Sequence, residues 1–164
     1  MSNASTILVA GIGNIFHGDD AFGSEVARQL LRRKLPESVK VVDFGIRAMD
    51  LTYALLDGHA SAILIDITPR GGESGKLYVI EPQLPERAPD PSIEGHGLNP
   101  VSVLALAKSM GELPRTLRLV GCEPSSVDLE EMEMGLSAPV QAALEPAVSL
   151  VCEVIDELRG GLHA

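Results

Sequence analysis

Residues 6–23 read Thr-Ile-Leu-Val-Ala-Gly-Ile-Gly-Asn-Ile-Phe-His-Gly-Asp-Asp-Ala-Phe-Gly, and this stretch decides the fold class. Its first part, residues 6–11, is short and continuously apolar, which is typical of a strand that is buried on both faces. A glycine-rich turn follows, and apolar side chains then recur at helical spacing over residues 21–33. A buried strand followed by an amphipathic helix is the first half of a βαβ unit, so the sheet is expected to be largely parallel.

The rest of the chain repeats this alternation of strands and helices. Short apolar runs predict four further strands, at residues 40–44, 61–67, 76–80 and 117–121. Helical patterns predict three further helices, at residues 49–56, 100–110 and 137–158, and a long loop at 81–99. The predicted fold class is therefore α/β, a three-layer sandwich in which a twisted, mostly parallel five-stranded sheet carries helices on both faces.

Length and charge limit what the protein can be. The 164 residues suit one domain, expected to span residues 5–164, and residues 1–4 resemble a cloning remnant. A net charge of −10 argues against nucleic-acid binding and against an anionic membrane surface, because both need clustered positive charge. No secretory signal or apolar run of transmembrane length is evident, so we expect a cytoplasmic protein. The two cysteines, Cys122 and Cys152, are expected to be buried free thiols.

Two adjacent acids, Asp19 and Asp20, stand directly before the first helix. One of them is expected to cap that helix, since an acidic side chain at a helix N-terminus satisfies unpaired N–H groups. The glycines around the pair suggest that something approaches the backbone closely there.

The Gly-x-Gly turn after the first strand also invites a dinucleotide-binding interpretation, with Asp43 as an acid for the ribose. Two features oppose it. The third glycine of that fingerprint would fall on Phe16, and the charges of Asp19 and Asp20 would repel a pyrophosphate at the helix N-terminus.

Asp66 and His96 complete the set of candidate site residues. Asp66 ends the apolar run of a central strand, where a carboxylate is costly unless it is hydrogen-bonded, protonated or metal-bound; the alternative is that it caps the turn at Thr68. His96 lies between two glycines just before a helix, as an exposed loop residue would. Two carboxylates and one imidazole suit a borderline divalent metal with open coordination positions, if the fold brings Asp20, Asp66 and His96 together. The other histidines, His17, His59 and His163, are expected at the surface, with His17 as a spare ligand.

Five segments of the chain form a recognisable set: Gly11-Ile12-Gly13-Asn14, Asp19-Asp20-Ala21-Phe22-Gly23, the strand that ends in Asp66, Gly95-His96-Gly97-Leu98, and Leu119-Val120-Gly121-Cys122-Glu123-Pro124. On these residues the sequence resembles the maturation endopeptidases of NiFe hydrogenases. The resemblance extends over roughly residues 7–158, and its first motif, Gly-x-Gly-Asn with two adjacent acids downstream, is fairly specific. Ala21 stands where many relatives have glycine, which removes no ligand.

The resemblance implies an activity and a set of site residues. Such proteins remove a C-terminal extension from the nickel-loaded precursor of the hydrogenase large subunit. The family's metal-contacting residues fall on Asp20, Asp66 and His96, which would also be the catalytic residues. Nickel is then supplied by the substrate rather than held tightly by the free enzyme, and it positions the chain or polarises a carbonyl or water. The alternative mechanism uses one carboxylate as a general base, as aspartic proteases do.

Two functions of other classes stay open on the sequence. The chain could be an α/β module that binds a nucleotide or small molecule without hydrolysis. A glycine loop whose amides face an empty phosphate-sized cradle would favour that function. It could also be a nickel-dependent assembly chaperone that binds the hydrogenase precursor without cutting it.

Overall fold

The computed structural model describes residues 5–84, 99–125 and 135–162, and within them five strands form one sheet. The strands are β1 (Ile7–Ile12), β2 (Val39–Gly45), β3 (Ser61–Ile67), β4 (Leu77–Ile80) and β5 (Thr116–Cys122). Their order in the sheet is β2-β1-β3-β5-β4. Every neighbouring pair is parallel except β4 and β5, which are antiparallel. The prediction of a mostly parallel five-stranded sheet is confirmed.

Helices cover both faces of this sheet. They are α1 (Phe22–Leu31), preceded by a 3₁₀ turn (Gly18–Ala21), then α2 (Ala48–Leu55), α3 (Pro100–Met110) and α4 (Ala138–Leu162). Successive residues of a strand point to opposite faces. Ile7 and Val9 of β1 accordingly pack with α1 and α4, whereas Leu8 and Ala10 pack with α2 and α3. The three-layer sandwich is confirmed.

Most element boundaries agree with the sequence patterns to within two residues. The strand at 61–67 and the helix at 100–110 coincide with β3 and α3. The first helix begins one residue after its predicted start, because Asp20 donates its amide to the carbonyl of His17 and thereby starts a 3₁₀ turn before α1. Helix α4 departs most from its pattern, since it continues to Leu162, four residues beyond the predicted end. Most of the predicted loop at 81–99 lies outside the described residues.

Helix α4 combines the length and composition of a membrane span with a position in the protein core. Within the described residues it contains one segment, Ala138–Gly160, that is long and apolar enough to cross a membrane by length and composition. In this fold, however, α4 packs against the sheet beside α1. Its core-facing side chains are fully or almost fully buried: Val140, Leu144, Val148, Val151 and Ile155. We therefore describe α4 as a core helix.

Helix α1 lies unusually close to the sheet at Gly23. A Cβ atom at this position would collide with the backbone oxygens of both Ile12 and Ile65, so only glycine fits. Gly11 faces the same contact from the strand, because a Cβ there would meet Ala27 and the carbonyl of Gly23. The glycines therefore allow helix α1 to pack closely against strands β1 and β3. This packing holds the preceding 3₁₀ turn at the carboxyl ends of β1 and β3.

Candidate active site

Asp20 and Asp66 occupy the same edge of the sheet. Asp20 belongs to the 3₁₀ turn that follows β1, and this turn contacts β3. Asp66 is the penultimate residue of β3 and is 6% exposed. In open parallel sheets the crevice beyond the carboxyl ends of the strands is the usual ligand site, so both acids lie where a ligand would bind.

The two carboxylates influence each other electrostatically. Burial raises the pKa of Asp66 well above its ordinary value, and the charge of Asp20 raises it further, although a hydrogen bond from the Ile67 amide opposes the shift. Burial also raises the pKa of Asp20, against the opposing effects of the Asn14 amide and of His17. Two like charges in a partly desolvated site favour uptake of a proton or a cation.

Asp66 does not cap the turn that follows it, contrary to the alternative drawn from the sequence. The Thr68 amide donates to the carbonyl of Cys122, and the Thr68 hydroxyl donates to the backbone oxygen of Asp66. The Arg70 amide donates to the carboxylate of Glu123. The carboxylate of Asp66 therefore has no role in holding residues 68–70.

Glu123 performs that structural role, and nothing in the sequence pattern indicates it beyond the place of Glu123 in the last-strand motif. Its carboxylate accepts hydrogen bonds from the amides of Arg70 and Gly72 and from the hydroxyl of Tyr78, at 2.7–3.0 Å. Burial alone would raise the pKa of Glu123, but the Gly72, Tyr78 and Arg70 hydrogen bonds outweigh it and lower the pKa. Two buried acids near the ends of the neighbouring strands β3 and β5 thus have opposite pKa shifts: the pKa of Asp66 is raised and that of Glu123 is lowered.

The expectation that Asp19 or Asp20 caps the first helix is wrong. Neither the 3₁₀ turn nor α1 has a side-chain cap. Asp19, which is 1% exposed, instead accepts hydrogen bonds from Ser125 and Ser137, more than a hundred residues along the chain. A contact of that range has no local sequence signal.

The histidines separate into three groups. His96 and His163 lie outside the described residues, so the convergence of His96 with the two acids stays a prediction. His17 is exposed, as expected. His59 is buried, and its Nδ1 is 2.6 Å from the Thr6 hydroxyl, so the expectation of a surface position is wrong. Among the residues that the structure describes, no group of three or more metal-binding side chains converges.

Cys122 is buried, whereas Cys152 is only half-buried. Burial, followed by the charges of Asp19 and Glu123, raises the pKa of Cys122 to about 12. The thiol is therefore protonated at neutral pH and unsuited to act as a nucleophile.

The glycine turn after β1 has no vacant cradle for a phosphate. The Gly13 amide donates to the Gly45 carbonyl and the Asn14 amide to the Asp20 carbonyl. The Phe16 amide donates to the side chain of Asn14. Asp43, the acid suggested for a ribose, accepts from the Gly45 amide and pairs with Arg28. The nucleotide-binding alternative is therefore not supported.

An open groove of about 320 Å³ lies beside the Asp20-bearing segment. Gly13 and Asn14 form part of its wall, and the Asn14 amide donates to the backbone carbonyl of Asp20, so the groove adjoins the 3₁₀ turn that carries Asp20. Two large apolar side chains line it although they are mostly exposed: Phe16 at 68% and Ile46 at 55%. An exposed aromatic side chain beside a groove is typical of a surface that binds a partner.

Asp66→Asn is expected to stabilise the free protein at neutral pH. A raised folded-state pKa means that the folded state binds its proton more tightly than the unfolded state, so stability declines as pH rises above the unfolded pKa. Asparagine can still accept from the Ile67 amide and carries no charge. We expect a melting temperature a few degrees above wild type at pH 7, since a domain of this size gains about 2–4 °C per kcal/mol.

The pH-dependent part of the difference should shrink below the ordinary aspartate pKa and vanish at about pH 3, where the acid is protonated in both states. Asp50→Asn is the control, because Asp50 is an exposed acid on α2 and its loss should leave the melting temperature within about 2 °C of wild type. A lower melting temperature for Asp66→Asn at pH 7 would contradict the assignment of Asp66 as a destabilised carboxylate.

Comparison with known proteins agrees with the resemblance found in the sequence. The family model for hydrogenase maturation proteases, HycI, matches residues 24–154. The hydrogenase 2 maturation protease of Escherichia coli K12 is 30% identical over 152 residues, which cover 92% of this chain and 91% of that protein. The hydrogenase expression/formation protein HupD of Bradyrhizobium diazoefficiens is 30% identical over 95% of this chain and 81% of its own length.

A solved structure gives the same result. The hydrogenase maturating endopeptidase HybD from E. coli superposes with a TM-score of 0.73 at 28% identity and covers 93% of both chains. The family match extends over most of the chain, and relatives at 30% identity align over most of their own length. The resemblance is thereby confirmed: the chain belongs to the hydrogenase maturation protease family and is a hydrolase.

Proposed function

We propose that this protein removes a C-terminal extension from the nickel-loaded precursor of a NiFe hydrogenase large subunit. The observation that carries the proposal is the paired site of Asp20 and Asp66. Asp19 and Glu123, also buried near strand ends, are satisfied by several hydrogen bonds, whereas the pKa of Asp66 is raised by burial and by a second acid. A buried carboxylate whose pKa is raised by a neighbouring acid, at the carboxyl ends of parallel strands, is a candidate functional group.

Nickel enters this proposal as part of the substrate. Asp20, Asp66 and His96 are its proposed contacts on the protease, and a divalent cation between the two acids would offset their mutual repulsion. So few donors would bind free metal weakly, and the remaining ligands come from the precursor. The proposed place of action is the cytoplasm, where Cys122 and Cys152 stay reduced.

Hydrolysis requires that a water oxygen bond to the scissile carbonyl carbon while the C–N bond breaks and the amine nitrogen takes up a proton. In the nickel-assisted route both acids are ionised and contact the metal, which orients the peptide. In the aspartic route Asp66, the more strongly shifted acid, holds a proton, and the more exposed Asp20 accepts one from water. We favour the first route, because it uses both acids and His96 together.

The groove beside the turn that carries Asp20 is the proposed binding site for the precursor segment next to the scissile bond. It adjoins the turn that carries Asp20 through Asn14, and its lining offers Phe16 and Ile46 to apolar side chains of an extended peptide. Covering a mostly exposed aromatic side chain on binding contributes roughly 1.5–3 kcal/mol.

Cleavage is expected only when the precursor carries nickel. Purified protein, washed with chelator, is incubated with nickel-loaded and nickel-free precursor, and the mass of the precursor is followed. Asp20→Asn, Asp66→Asn and His96→Ala should each lower the rate on the order of a hundredfold or more, because each removes a proposed metal contact. Their folding should be largely intact, since no core side chain is removed.

Asp156→Asn, which changes an exposed acid in the C-terminal half of α4, is the matched control and should cleave at the wild-type rate. Efficient cutting of nickel-free precursor would contradict the role of nickel. A nickel-loaded precursor that is bound but never shortened would instead indicate the chaperone function.

The pH dependence separates the two routes. If both acids must be ionised to contact nickel, the cleavage rate at subsaturating precursor rises with pH through the raised pKa of Asp66 and then levels off. If Asp66 must carry a proton, the rate instead falls over the same range. We expect the rise, measured as kcat/KM between pH 5 and 8. A fall would support the aspartic route.

Phe16→Ser is expected to weaken precursor binding. KM should rise roughly tenfold or more while kcat stays near wild type, because one tenfold step in affinity corresponds to about 1.4 kcal/mol. Met110→Ser is the control: this side chain is 48% exposed at the end of α3, which leads to the opposite, amino end of β5. Equal KM values for the two variants would exclude Phe16 from the binding surface.

A further inference from the structure

The carboxylate of Asp19 joins three separate parts of the chain. Its Oδ1 accepts the Ser137 amide at 2.7 Å. Its Oδ2 accepts the Ser125 amide and the Ser137 hydroxyl, each at 2.9 Å. Ser125 follows β5 and Ser137 precedes α4, at sequence separations of 106 and 118 residues. One side chain therefore fastens the 3₁₀ turn to the end of a strand and to the start of a helix.

This arrangement specifically suits a carboxylate, because both of its oxygens act as acceptors. None of the four ion pairs within the described residues includes Asp19, and its partners there are the hydrogen-bond donors of Ser125 and Ser137. Asparagine would present one acceptor oxygen and one N–H₂ group to three donors. The N–H₂ group would then face an amide N–H of Ser125 or Ser137.

The hydrogen bonds of Asp19 affect the geometry of Asp20 and Asp66, because Asp20 is the next residue in the chain. The backbone hydrogen bonds of Asp20 are local, to His17 and Asn14. Asp19, in contrast, reaches Ser125, four residues beyond Gly121, which lies opposite Asp66 in the β3–β5 register. The turn that carries Asp20 is thus tied to the strand that pairs with Asp66.

We propose that Asp19 is a positioning residue for cleavage, which holds Asp20 at a fixed place relative to Asp66 by bonding to Ser125 and Ser137. The inference rests on the proposed function. Asp19 is buried and has no role in contacting the substrate. Its effect is on geometry, and displacement of a reacting group by about 1 Å is enough to slow a reaction on the order of a hundredfold.

The test is Asp19→Asn, measured in two ways. With nickel-loaded precursor, kcat should fall tenfold to a hundredfold, because Asp20 is displaced from the position in which it orients the substrate, and KM should rise by a smaller factor, because the groove beside Asn14 is untouched. Without substrate, hydrogen exchange in residues 14–21 should accelerate, since the Asn14 and Asp20 amides close the turn. Both are measured well below the melting temperature of the variant.

Val151→Ala controls for a general loss of stability. Val151 is fully buried on α4 and away from Asp19, so this variant should melt earlier yet keep kcat and the exchange of residues 14–21. Ser137→Ala removes only one of the three hydrogen bonds and should lower kcat about threefold. It serves as the test if Asp19→Asn does not fold.

The outcomes are distinct. Faster exchange in residues 14–21 together with an unchanged kcat would overturn the positioning role. A loss of kcat that Val151→Ala reproduces at equal melting temperature would overturn it as well. A wild-type protein that leaves nickel-loaded precursor intact would overturn the proposed function, and this inference with it.

Discussion

The contact of α1 with the sheet at Gly23 determines where the rest of the site lies. Because a side chain there would collide with the backbone oxygens of Ile12 and Ile65, the first turn of α1 rests directly on the ends of β1 and β3. The 3₁₀ turn that precedes α1 can then reach across both strands. Asp20 consequently lies beside Asp66, although 45 residues separate them in the sequence. The glycine motif serves this packing, and the amides of the turn are used within the chain.

Three buried carboxylates near the carboxyl ends of the strands have different environments: those of Glu123, Asp19 and Asp66. Glu123 and Asp19 each accept at least three hydrogen bonds and hold loops or helix ends in place. Asp66 accepts the amide of the next residue and faces a second acid. Since burying a charge without compensation destabilises a fold, Asp66 is the member of the set that the proposed function assigns to contact with the substrate.

The sequence predicted those features that depend on local pattern. Buried strands appear as continuous apolar runs, which is why the bounds of β3 were found to the residue, and Pro100 marks the start of α3. Asp66 stood out because it interrupts such a run. The partners of Asp19 could not be predicted, because a hydrogen bond over 118 residues leaves no periodic signal. The burial of His59 was missed for a similar reason, since its partner Thr6 lies 53 residues away.

The repulsion between Asp20 and Asp66 links the stability of the free protein to the discrimination that the proposed function requires. A site with a full set of donors would hold its own metal and would treat loaded and unloaded precursors alike. Here the charge of Asp20 disfavours the ionised form of Asp66 in the free protein, and under the proposed function a cation brought by the precursor would remove that penalty. The free energy released on that contact would be absent for a nickel-free precursor. Under the same proposal, the preference for loaded precursor would be set by how closely the fold holds Asp20 to Asp66, a separation that Asn14, Asp19 and Gly23 constrain.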